Sequence, residues 1–138
     1  MVNITREIFS SQSVSLSKIH KNLLLEVATG VGKTKASLDI INESEGNWLV
    51  VVAEKAHLDN WKKDINKHNY DILLPRITFV LYASLHKHKD KSYYGVILDE
   101  AHRCTTLLRR TALGSIKYTK SVLLTATITK NEKFLIES

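Results

Sequence analysis

A single cysteine, Cys104, excludes an internal disulfide and fits a reducing compartment. A single proline, Pro75, and only five glycines leave no Gly- or Pro-rich stretch that would act as a linker. Long apolar runs are missing too. Those present, such as residues 23–25 and 50–53, fall far short of the roughly 20 residues needed to span a bilayer. Residues 1–10 do not form a secretory signal, because Arg6 and Glu7 stand where its apolar centre would lie. A cytoplasmic location with no membrane partner is therefore expected. No repeat of 20–50 residues is present, which excludes solenoids and propellers.

What remains is an ordinary globular composition, 43% hydrophobic and 25% charged. At 138 residues the chain is expected to form one domain, residues 1–138. Twenty Lys and Arg against fourteen Asp and Glu give a formal net charge of +6. A polyanion such as nucleic acid suits that excess, and so does a merely solvated lysine-rich surface.

Short apolar segments alternate with amphipathic ones. Residues 23–28, 48–53, 77–82, 94–98 and 121–125 read as buried strands by their length and β-branched content. Residues 33–42, 57–68 and 107–116 place apolar side chains at helical spacing, with a helical turn at 83–89 and a polar connection at 90–92. Such alternation predicts an α/β fold, a mainly parallel sheet with helices on both faces. Ligands in such sheets bind beyond the carboxyl ends of the strands. Three polar segments fall at those ends.

The first is Ala28-Thr29-Gly30-Val31-Gly32-Lys33-Thr34. Gly30 and Gly32 let the backbone approach a ligand that a side chain would block. The helix starting near Lys33 adds its positive end, Lys33 supplies a compact charge for the β- and γ-phosphates, and the Thr34 hydroxyl suits Mg²⁺. The general phosphate-loop pattern asks for glycine at position 27, where this chain has Val27. The second is Asp99-Glu100-Ala101-His102. After the apolar Val96-Ile97-Leu98, Asp99 would hold Mg²⁺ and Glu100 would orient or deprotonate the attacking water. The third is Thr125-Ala126-Thr127.

Together these segments resemble the superfamily 2 helicases and DNA translocases. Residues 28–34 look like motif I, Asp99–His102 spells the DEAH box of motif II, and Thr125-Ala126-Thr127 resembles motif III. Residues 51–61 are similar to motif Ia, with Glu54 where the family often has proline. Tyr82-Ala83-Ser84-Leu85 and Asp99–Arg103 resemble the chromatin-remodeller-like and restriction-translocase-like subgroup. Gln12 stands where an adenine-reading glutamine can sit.

The resemblance implies a RecA-like P-loop domain that uses ATP and Mg²⁺, with a nucleic-acid partner, DNA before RNA. Thr29, Gly30, Val31, Gly32, Lys33 and Thr34 would bind the nucleotide. Thr34 and Asp99 would hold the metal, and Glu100 and Lys33 would be catalytic. His102, Thr125 and Thr127 would link the nucleotide state to nucleic acid, and Lys55 would touch its backbone. Family members pair two RecA-like domains, the second supplying arginine fingers, each worth roughly 10³–10⁵ in rate. No residues are left here for motifs IV to VI. A second domain would have to come from a partner, and the chain alone would hydrolyse ATP weakly or not at all. The alternative is an autonomous nucleotide-binding module serving regulation or interaction. Arg103, Arg109 and Arg110 lie in the same domain as motif II and are not expected to be fingers.

Other constellations carry less. His68, His86, His88 and Cys104 lack the spacing of a zinc site. Trp48 and Trp61 suit core packing, although an exposed Trp61 could stack on a base. Lys62-Lys63 and the basic run at 87–91 read as solvated faces or phosphate contacts.

Overall fold

The computed structural model describes residues 6–26, 32–99, 114 and 116–125. Three helices, α1 (Arg6–Ile19), α2 (Lys33–Glu43) and α3 (Lys55–Lys67), accompany five strands: β1 (Asn22–Glu26), β2 (Trp48–Val52), β3 (Ile77–Leu81), β4 (Ser92–Leu98) and β5 (Lys117–Thr125). Two 3-10 segments, Asp71–Arg76 and Tyr82–His88, flank β3. The strands form one parallel sheet in the order β1-β5-β4-β2-β3.

Topology explains which face each connection covers. The chain moves in one direction across the sheet from β1 to β2 and on to β3. Right-handed crossovers therefore put α2 and α3 on the same face. Ala36, Leu38, Ile40 and Ile41 of α2 and Trp61 and Ile65 of α3 pack there on Leu25, Val50, Val52, Ile97 and Leu124. The step from β3 to β4 runs the other way and crosses the opposite face. Leu85 of the second 3-10 segment duly packs with Leu49, Val51, Val96 and Leu98 on that side. Every residue of β2 is buried, as expected for a strand covered on both faces. The helix read over 107–116 lies outside the described residues except for 114 and 116, of which Ile116 is buried against the second face.

The middle of the sheet packs tightly. Trp48 of β2 lies level with Gly95 of β4. A Cβ at position 95 would overlap the Trp48 ring, so only glycine fits beside this fully buried indole.

Helix α1 was not evident in the sequence. Five of its fourteen residues are serine, and Ser13 and Ser17, one turn apart, form part of its buried stripe. Small polar residues let α1 lie close to α2 without an apolar stripe that hydropathy would show. β4 and β5 also begin earlier than their apolar runs. Their first residues, Ser92 and Lys117, project beyond the core and are exposed.

Among the described residues no helix is long and apolar enough to cross a membrane.

Candidate nucleotide site

Strand register sets the geometry of the carboxyl edge. Leu24, Leu123, Leu98, Val51 and Val80 lie level across all five strands. One residue further on, Leu25, Leu124, Asp99, Val52 and Leu81 form the next row. Asp99 is thus the polar member of a row whose other members are apolar. Side chains alternate along a strand, so Asp99 shares the face of Ile97, which α2 and α3 cover. β5 separates β1 from β4, so two strand spacings, about 10 Å, lie between the end of β1 and Asp99.

Helix α2 begins at that edge after β1. Its N-cap, Gly32, has φ 94° and ψ 41°, the left-handed conformation that glycine adopts without the cost of a Cβ. The Gly32 carbonyl accepts the Ala36 amide at 2.9 Å, which starts the helix. Gly32 offers no side-chain cap, and the first turn has no acidic residue. The positive end of α2 is therefore not neutralised by its own sequence. Lys33 and Thr34 occupy the first turn and are half-buried.

Asp99 is held at three points. Its amide donates to Val51 O at 2.9 Å, its carbonyl accepts from Tyr82 Oη at 2.9 Å, and its Oδ2 accepts from Trp61 Nε1 at 2.9 Å. Trp61 is 1% exposed and meets Phe79 edge-on, so it cannot be an exposed stacking platform. Packing is its setting, as its helical spacing indicates. Sequence patterning carries no signal for the bond to Asp99, which joins residues 38 apart. Tyr82 stands out in the sequence only through the Tyr-x-Ser-Leu resemblance, and the structure gives it this physical contact.

Lys55 is exposed and opens α3, behind the N-cap Glu54, which has extended backbone. Gln12 is exposed on α1. Thr29, Gly30, Val31, Glu100, His102 and Thr127 lie outside the described residues. Thr125 ends β5 level with Glu26.

The donors brought to this edge are a carboxylate, a hydroxyl, an ammonium and helix amides. Oxygen ligands suit Mg²⁺, which is commonly held by one or two carboxylates together with substrate phosphates. The described residues contain no cluster of three or more His, Cys, Asp or Glu placed to hold a metal ion. His88 instead shares a 2.9 Å hydrogen bond with Tyr93 Oη, and burial, helped by the Lys91 charge, pushes its pKa down.

A groove of about 430 Å³ between α1 and α2 offers a rival location. Its charges are matched internally. Lys35 bonds Asp39 at 2.8 Å, Tyr70 Oη also donates to Asp39, and Lys18 faces Glu43 at 3.9 Å. Burial, then the bond to Asp39, pushes the Tyr70 phenol up to about 12. This groove runs along α1 and α2, and its paired charges brace the helices.

Residues 3–130 match the family described as "ResIII: Type III restriction enzyme, res subunit". The chain belongs to that family. Among solved structures it is similar to the Sulfolobus solfataricus SWI2/SNF2 ATPase core in complex with dsDNA, with TM-score 0.75 and 16% identity over 98% of this chain and 35% of that one. It also resembles the Pyrococcus furiosus Hef helicase domain, with TM-score 0.68 and 14% identity over 98% and 35% of the two chains. A third relative is a nuclease-deletion mutant of the Type ISP restriction-modification enzyme LlaGI in complex with a DNA substrate mimic, with TM-score 0.62 and 17% identity over 92% and 17%. No curated protein matches. The chain spans about a third of the length of the SWI2/SNF2 ATPase core it matches. Fold and family place it with the N-terminal RecA-like domains of superfamily 2 helicases and translocases.

Proposed function

We propose that the chain is the ATP-binding first domain of a DEAH-type DNA helicase or translocase. The observation that carries this reading is the common edge. The uncompensated N-terminus of α2, behind left-handed Gly32, and the anchored carboxylate of Asp99 lie on one face of one sheet edge.

Backbone amides of residues 29–34 bind the phosphates, and Lys33 draws the β- and γ-phosphate oxygens by charge. Thr34 with its hydroxyl and Asp99 with its carboxylate would hold Mg²⁺. When bound, the magnesium ion supplies Lewis-acid neutralisation of the phosphate charge. Glu100 accepts a proton from the attacking water. The water oxygen bonds to the γ-phosphorus while the bond to the β–γ bridging oxygen breaks, which leaves ADP and phosphate. His102, Thr125 and Thr127 pass the nucleotide state to bound DNA, and Lys55 touches its backbone. A second RecA-like domain, on the same polypeptide or a partner, closes over the nucleotide and supplies the arginine finger.

The test is ATP–Mg²⁺ binding and steady-state hydrolysis with and without single- and double-stranded DNA and RNA, for wild type, Lys33→Ala and Glu100→Gln. Nucleic-acid-stimulated turnover lost in both variants supports the enzyme. Binding without turnover under every condition favours a regulatory nucleotide-binding module. Absence of ATP–Mg²⁺ binding overturns the site.

A further inference from the structure

Asp99 sits at the end of β4, yet the group that fixes its carboxylate belongs to a different element. Trp61 lies near the middle of α3 and is 1% exposed. The edge of Phe79, with ring centroids 6.2 Å apart at 64°, and the surrounding core hold its ring. The indole N–H therefore has a fixed origin and direction. It ends 2.9 Å from Asp99 Oδ2. Val51 O and Tyr82 Oη meanwhile fix the backbone of the same residue on either side.

We infer that Trp61 is a positioning residue for the magnesium-binding carboxylate and makes α3 part of the metal site. This rests on the nucleotide-site reading above. A carboxylate that acts on a metal through water loses effect when it rotates. Outer-shell donors that fix a ligand group typically contribute about 10- to 100-fold in metal affinity. Simple satisfaction of a buried indole N–H is the competing explanation, and it predicts no effect on metal binding.

The molecule carries its own control. Trp48 also uses its indole N–H, donating to Ser44 Oγ at 3.0 Å, beside the opposite end of α2. In the 138-residue chain with ¹⁵N-labelled tryptophan, Mg²⁺ is titrated at saturating ATP and both indole N–H resonances are followed. The Trp61 signal is expected to shift while the Trp48 signal stays. Alongside, Trp61→Phe should weaken the Mg²⁺-dependent gain in ATP affinity about tenfold and leave Mg²⁺-free ATP affinity unchanged. Equal Mg²⁺ dependence in wild type and Trp61→Phe overturns the proposal. So does a Trp61 signal that moves no more than that of Trp48. If Trp61→Phe does not fold, site-specific benzothienylalanine at position 61, an isostere without the N–H, replaces it. Asp99→Asn separates the two levels. If it keeps the Mg²⁺-dependent gain, the site reading itself fails. If it loses the gain while Trp61→Phe keeps it, only the positioning role fails.

Discussion

The two ends of α2 treat their unpaired backbone groups in opposite ways. At the C-terminal end, Ile41 O accepts the Ser44 amide at 3.1 Å, Ser44 Oγ at 2.9 Å and Arg76 Nη2 at 3.0 Å. Arg76 also reaches Ser44 O at 2.7 Å and Gly46 O at 2.9 Å, which places a cation at the negative end of the helix dipole. At the N-terminal end there is a glycine cap with no side-chain bond and no acid in the first turn. One helix thus has a finished end that holds the fold and an unfinished end suited to an anion. A helix end with no side-chain cap and no acid in its first turn points to a ligand when a phosphate-loop sequence and a metal-type carboxylate share its edge.

The largest expected effect breaks the unfinished end. Lys33→Ala should weaken ATP–Mg²⁺ binding by about 4 kcal/mol, roughly a thousandfold, by removing charge-assisted bonds to two phosphates. The melting temperature without nucleotide should stay at the wild-type value, because Lys33 has no ion-pair partner among the described residues. Calorimetric titration and thermal denaturation check the two halves. A matching loss of stability would mean that this end is also structural.

Next in size is the finished end. Arg76→Ala should cost about 3 kcal/mol of stability, because three carbonyls lose a charged donor together. Nucleotide affinity in the variant that remains folded should be unchanged. Urea denaturation followed by nucleotide titration tests both statements. A large drop in affinity at retained fold would show that the two ends communicate through α2.

How much of this contrast could be read from sequence depends on distance along the chain. Gly32, Lys33 and Thr34 are consecutive, and the helix read over 33–42 is observed as Lys33–Glu43. Strand β2, read over 48–53, is Trp48–Val52, since an unbroken apolar run admits few alternatives. The apolar spacing predicts α3 over 57–68, and it is Lys55–Lys67, because its first residues, Lys55 and Ala56, are exposed and carry no apolar signal. The turn at 83–89 proves to be the 3-10 segment Tyr82–His88. Long-range pairings left no such trace. Arg76 caps α2 from more than 30 residues away, and Trp61 reaches Asp99 across 38. Each depends on strand order, and strands alone do not state their neighbours. Gln12 stands out as an adenine-reading candidate from the resemblance alone, and the serine-rich segment around it folds as α1.

Two glycines sharpen the comparison further, because both have φ 94° and they flank the same helix. At Gly46 an added Cβ would lie 2.7 Å from Tyr94 Cβ, so Gly46→Ala combines left-handed strain with a clash and should cost about 3 kcal/mol. Gly32→Ala carries the backbone cost of its left-handed φ, about 1 kcal/mol in stability. Its effect should fall more heavily on ATP affinity. Equal stability losses with unchanged affinity for Gly32→Ala would remove the distinction between the ends.

The smallest effect concerns the body of α2, between its two ends. Tyr70 Oη donates to Asp39, and its phenol is raised from 10.0 to about 12 in the fold, by burial first and the Asp39 bond second. The folded pKa exceeds the unfolded one, so the folded state holds the proton more tightly. The stability this contributes is complete below pH 10 and is lost as pH rises through 12. Comparing wild type with Tyr70→Phe isolates it, since lysine deprotonation affects both alike. The wild-type advantage in melting temperature should be flat from pH 7 to about 9.5 and shrink steadily above that. A constant advantage up to pH 11.5 would show that the phenol titrates normally. ATP affinity should be the same in both proteins at neutral pH, because this bond braces α2 against the loop after α3 and takes no part in the edge where Lys33 and Asp99 lie.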